Sequence, residues 1–204
     1  MTKDKRKSPQ EQELSFLRHQ LYWLCWTWQD YKELFSSEAN FEFMIRMTGG
    51  LARVMRVSML DSIQLDICAL TDPAISKSGN NLSLRRLLHW CRDSKQKAER
   101  IESLKEKLDE ADAVSSRIRK RRKKHIAHFD SPTILDEDAE VIEWPTADEI
   151  ERAVRLLIEA MNMAESLLGV AIFDYDSSHS RNGSETLMAI LREADNEKSV
   201  DHSG

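Results

Sequence analysis

From Leu14 onward, apolar side chains return at Leu17, Leu21, Leu24, Trp28, Tyr31 and Phe35, in steps of three and four. Such spacing lines one face of a helix and cannot line one face of a strand, whose period is two. The same steps recur at Ile101, Leu104, Leu108, Ala111, Ser115 and Ile118, and again at Ile150, Val154, Leu157, Met161, Ala164, Leu168, Ala171 and Tyr175. Each seam must be buried against another helix, so the chain is restricted to an all-α bundle.

Local signals set the helix limits. Ser8-Pro9-Gln10-Glu11 reads as a capping box with proline in the first turn, and Thr146 with Glu149 repeats that box just after Pro145. Ser37 can cap a second helix. Phe41–Asp72 keeps a helical pattern except at Gly49-Gly50, where each glycine costs about 1 kcal/mol relative to alanine. That pair marks a kink or a close helix crossing. Leu51–Leu70 has a wide apolar face and suits a central helix, with Asp61 and Asp66 as polar-face or cap-like residues. Asp72-Pro73 ends it. Leu82–Cys91 forms a short helix in which His89 has a structural role, and Ser184–Ala194 forms a C-terminal helix that docks on the bundle. The expected architecture is about five main helices plus that short one, in a single domain over residues 9–194. A basic tail (1–8) and a polar tail (195–204) flank it. Trp23 and Trp26 lie off the first seam, so the first helix is contacted on more than one side.

Composition narrows the function. The net charge of −5 gives no bulk attraction to nucleic acid, so any such attraction must be local. Cys25, Cys68 and Cys91 are isolated and odd in number, as expected of reduced, small apolar residues in a cytoplasmic protein. The polar N-terminus and the lack of a long apolar run predict no signal peptide and no membrane span. The phosphate-loop pattern is absent, and neither Asp61 nor Asp66 has metal-ligand company in sequence; no metal and no cofactor are expected.

The local charge sits in Arg117–Asp130, RIRKRRKKHIAHFD. Here the third seam turns cationic without losing its spacing: after Ile118 the same steps reach Arg122, His125 and Phe129. Arg122 and His125 would then point where the core was, and need a partner, a ligand or an opening. Arg121 and His128 are seven apart and share the adjacent stripe. These residue types fit metal-independent RNA cleavage. The strand's own 2′-hydroxyl attacks the phosphate; histidine, with an ordinary pKa of about 6.5, can take and give the protons, and an arginine fork can hold the charged phosphorane. A two-fold dimer would supply two of each group. The alternative is a solvated basic patch. The acidic connection with Asp136, Glu137, Asp138, Glu140 and Glu143 reads as a solvated loop rather than a cover for that patch.

Two segments carry a family resemblance. Arg122–Asp130, RKKHIAHFD, resembles the Arg-x(4–6)-His motif of the HEPN superfamily, and is similar to its AbiU-type phage abortive-infection branch, where the helix end reads R-N-K-x-I-A-H-x-D. Leu70–Leu88 resembles the same branch: a leucine, then T-D-P, a polar loop and N-L-S-L-x-x-L-L. The resemblance implies a helical bundle that dimerises with its motifs facing each other. Many relatives are metal-independent ribonucleases acting as toxins or in phage defence; others only bind RNA or nucleotides. It assigns the arginine role to Arg122 and the histidine role to His128, with Arg121, His125 and Asp130 as secondary candidates. Arg119, Lys120, Lys123 and Lys124 would bind RNA. Lys123 stands where the branch usually has Asn. The expected partners are RNA, a second copy through the Arg122/His128 face, and an antitoxin. The rival is a non-catalytic module that binds RNA, a nucleotide or a protein.

Overall fold

Ser8 opens α1 (Pro9–Phe35) through both halves of the expected box: its hydroxyl accepts from Glu11 N at 3.2 Å, and the Glu11 carboxylate accepts from Ser8 N at 2.6 Å. The computed structural model describes residues 8–77, 79–93, 98–126, 142–175 and 183–201. Every seam position of α1, from Leu14 to Phe35, is buried, while Trp23 is exposed and Trp26 half-buried. Neighbours on several sides bury the rest, as α1 touches α2 (Glu38–Thr48), α3 (Gly50–Thr71), α7 (Ala147–Leu168) and α8 (Gly183–Asp201).

Ser37 caps α2, accepting from Asn40 N at 3.1 Å. Between α2 and α3, Gly49 takes φ +61, a left-handed backbone that side chains disfavour, and this is the kink. A Cβ on either glycine would meet nothing within 4 Å, so the pair turns the chain and does not serve a close crossing. The central helix α3 buries Leu60, Ile63, Ile67, Cys68 and Leu70 along its second half. Its first half leaves Leu51, Val54 and Val57 exposed, so the wide apolar face is only partly used.

Asp72-Pro73 stops α3. The polar loop beyond it contains a minimal hairpin, β1 (Ile75–Ser76) against β2 (Gly79–Asn80), with Ile75 opposite Asn80. Asn81 holds that loop by donating from Nδ2 to Pro73 O at 2.8 Å. Then come α4 (Leu84–Asp93) and α5 (Ala98–Val114), and α5 packs along α7 with α4 against both. Leu104, Leu108, Ala111, Ser115 and Ile118 are buried as the seam predicts. His89 is exposed. The three cysteines are free and buried.

Thr146 and Glu149 form the second capping box, at the start of α7. The seam read through Tyr175 is corrected here: α7 ends at Leu168, where Gly169 takes a left-handed φ of +67. Ala171 is exposed, and Tyr175 is buried because the chain folds back, not because the helix continues. The C-terminal helix α8 runs further than the pattern suggested, to Asp201. It docks through Met188, with Leu187 and Leu191 against the core, and through the Ser184 hydroxyl, which donates to Asp30 and Glu33. Among the described residues no helix is long and apolar enough to cross a membrane.

Asp66 is the least satisfied acid on α3. Its Oδ2 is buried without a hydrogen-bond partner among the described residues, and burial raises its pKa to about 6. Between the ordinary carboxylate range and about pH 6 the folded chain holds a proton that the unfolded chain releases, so stability falls as pH rises through that window. Asp66→Asn removes the charge. Thermal unfolding should find the variant more stable than wild type above about pH 7, with the gain vanishing below about pH 4. A gain that is independent of pH would contradict this account.

Candidate functional site

The basic stretch begins where α5 breaks. Ser115 turns its hydroxyl back to Ala111 O at 2.7 Å, a bond that bends helices, and the helix restarts as α6 (Ser116–Arg121). Arg122–Ile126 then continues as a π turn, a widened turn found mostly at functional sites. Four arginines within this short length go to four different places.

Arg117 faces the returning chain, pairing with Glu143 at 2.9 Å and Glu149 at 3.4 Å. The last acid of the connection therefore does meet the basic stretch, contrary to the reading of it as wholly solvated. Residues 136–140 lie outside the described residues. Arg119 binds three acceptors of the α3–α5 corner: Asp72 at 2.6 Å, Thr71 Oγ1 at 2.7 Å and Asp112 at 2.7 Å. It is thus a structural tie as much as a candidate RNA contact.

Arg121 takes the core direction that the spacing gave to Arg122. It is only 8% exposed, donates to Asp61 Oδ1 at 3.1 Å, and lies flat over the Trp144 ring with 3.4 Å from guanidinium carbon to centroid. Steps of three or four beyond Ile118 both continue a helical seam, and Asp61 with Trp144 supplies the pocket that selects the shorter step. Burial raises the pKa of Asp61, against the pull of Arg121. The Arg121 Nε has no hydrogen-bond partner among the described residues.

Arg122 has a different setting. Its side chain is 34% exposed, and Nη1 alone spans both oxygens of Asp72, at 3.1 and 3.2 Å. The carboxylate thus pins one end of the fork. His125 is half-buried within the π turn, Lys120 and Lys123 are exposed, and Lys124 is half-buried. His128, Phe129 and Asp130 lie outside the described residues. The shared stripe inferred for Arg121 and His128 assumed unbroken α periodicity, and the π turn removes that assumption.

The structure joins the two segments that carried the resemblance. Thr71 and Asp72, from the T-D-P corner, are the anchors of Arg119 and Arg122. Sequence reasoning treated Asp72 only as a helix stop. A signal was present: a carboxylate at a helix C-terminus opposes the helix dipole and calls for a cation nearby. Asp61 and Trp144 were also missed as partners of Arg121. Among the described residues, no group of three or more His, Cys, Asp or Glu side chains could hold a metal ion.

A helical bundle whose T-D-P corner receives the arginines of a long basic helix end is a protein of the HEPN class. The chain matches the HEPN AbiU2 family model, described as AbiU2, over residues 8–187, and belongs to that family. No curated protein and no solved structure matches it.

Proposed function

We propose that the protein is a metal-independent endoribonuclease of HEPN type, active as a cytoplasmic homodimer in a stress or phage-defence role. The observation that carries this reading is the setting of Arg122, half-open to solvent with one nitrogen pinned by Asp72. A fork held at one end is pre-oriented for phosphate oxygens at the other. Arg122 stabilises the charge that builds on the phosphorane. His128 takes the proton of the attacking 2′-hydroxyl, and the partner copy's equivalent group returns a proton to the leaving 5′-oxygen as the P–O bond breaks. Lys120, Lys123 and Lys124 steer the strand, and an antitoxin would restrain the activity.

The test compares wild type with His128→Ala on single-stranded RNA in the presence of EDTA. Cleavage by wild type and its loss in the variant are the expected results; equal cleavage in both, or none in either, refutes the catalytic role. The exposed Lys123, in place of the family's usual asparagine, favours one rival, a module that binds RNA without cutting it. Salt-sensitive binding without cleavage, retained in His128→Ala, would identify that rival.

A further inference from the structure

About three helical turns back along α3 from Asp72, a cavity of about 700 Å³ opens between α1, the first half of α3 and the start of α7. Its floor is aromatic: Trp28 and Tyr31 lie stacked at 5.6 Å with Phe35 beside them, all buried. Phe41 and the half-exposed Trp144 stand at the sides. The volume lies within the roughly 300–1,000 Å³ of small-molecule sites.

The charges around it are not balanced internally. Glu151 is already committed, accepting from Trp28 Nε1 at 2.6 Å and Lys32 at 3.0 Å. Arg56 lies over Phe41 at 4.2 Å, and neither it nor Arg53 has a carboxylate partner among the described residues. Asp148 is the other acid of the lining. Two unpaired guanidinium groups therefore border an aromatic hollow, which suits a ligand with a flat π face and an anionic group. A plain apolar helix would leave those arginines facing hydrocarbon.

We propose that this cavity binds a nucleotide unit, with the base among Trp144, Phe41 and Tyr31 and the phosphate held by Arg53 and Arg56. Trp144 is held for that task, because Arg121 covers its ring at 3.4 Å. The unit comes either from a free nucleotide or from a residue of an RNA strand, and the cavity stands whether or not Arg122 takes part in cleavage.

Quenching of intrinsic tryptophan fluorescence tests this on the full chain. The probes are AMP, ribose 5-phosphate, and a short 2′-O-methyl oligoadenylate that cannot be cut by its own 2′-hydroxyl. Wild type should bind AMP or the oligonucleotide saturably, and ribose 5-phosphate at least about tenfold more weakly, since base stacking is lost. The double variant Arg53→Ala/Arg56→Ala should weaken binding at least about tenfold, while Arg122→Ala leaves AMP affinity unchanged. Saturable AMP binding identifies a free-nucleotide site; binding of the oligonucleotide alone identifies an RNA subsite. Absence of saturation with both, equal binding of ribose 5-phosphate, or wild-type affinity in a folded double variant overturns the proposal.

Discussion

Arg122→Ala is expected to cut single-stranded RNA about 10²- to 10³-fold more slowly than wild type, the usual cost of losing one preorganised donor to a developing oxyanion. Binding should change far less, by about tenfold or below, because several neighbouring cations remain. The difference follows from geometry. Asp72 fixes Nη1 of Arg122, so the fork meets a phosphate without first being ordered. Arg122→Lys keeps the charge but has no planar fork to share between carboxylate and phosphate, and should restore little of the rate. Single-turnover cleavage rates with saturating enzyme give the comparison. A rate within about threefold of wild type would remove Arg122 from the reaction. Arg121 offers the contrast: its buried contacts with Asp61 and Trp144 mean that alanine there acts first on stability.

The largest expected loss of stability lies at the other side of the bundle. The Glu165 carboxylate is fully buried and accepts from Arg18 Nε at 2.5 Å, from Phe173 N at 2.9 Å and from the Tyr175 hydroxyl at 3.3 Å. Arg18 also donates to Ala171 O at 2.6 Å, so one ion pair holds α1, α7 and the returning segment together. Burial and the neighbouring carboxylate push the Tyr175 phenol well above its ordinary range, which keeps it neutral and donating. Breaking a buried pair from one side costs about 3–5 kcal/mol. Arg18 keeps some access to water, which places Glu165→Ala near the lower end, or a fall in Tm of roughly 6–12 °C at about 2–4 °C per kcal/mol. Thermal unfolding checks it, and a fall below about 3 °C would show that the cluster is dispensable.

What could be read in the sequence was local. The α1 seam, both capping boxes and the stop at Asp72-Pro73 depend on residues a few positions apart, and all are present as expected. Periodicity misled after Leu168, because Ala171 and Tyr175 happen to continue the steps while Gly169 turns the chain. The candidate site was legible as a stretch but not as an arrangement. Asp72 and Arg122 are fifty positions apart, Asp61 and Arg121 sixty, and only the crossing of α3 with the basic helix pairs them. The aromatic cavity was illegible for the same reason, since its walls come from three separate parts of the chain.

The widened turn at Arg122–Ile126 has a consequence for chain length. A π turn closes five-residue bonds where an α-helix closes four, so it stores one residue more than the helix around it needs. Remove that residue and the backbone can relax to an ordinary helix, but everything after it swings by about 100°, the angle of one α-helical residue. The direction in which the chain leaves Ile126 toward His128 is therefore set by a count. Substitutions in this turn adjust chemistry, whereas a single deletion would re-aim the whole exit.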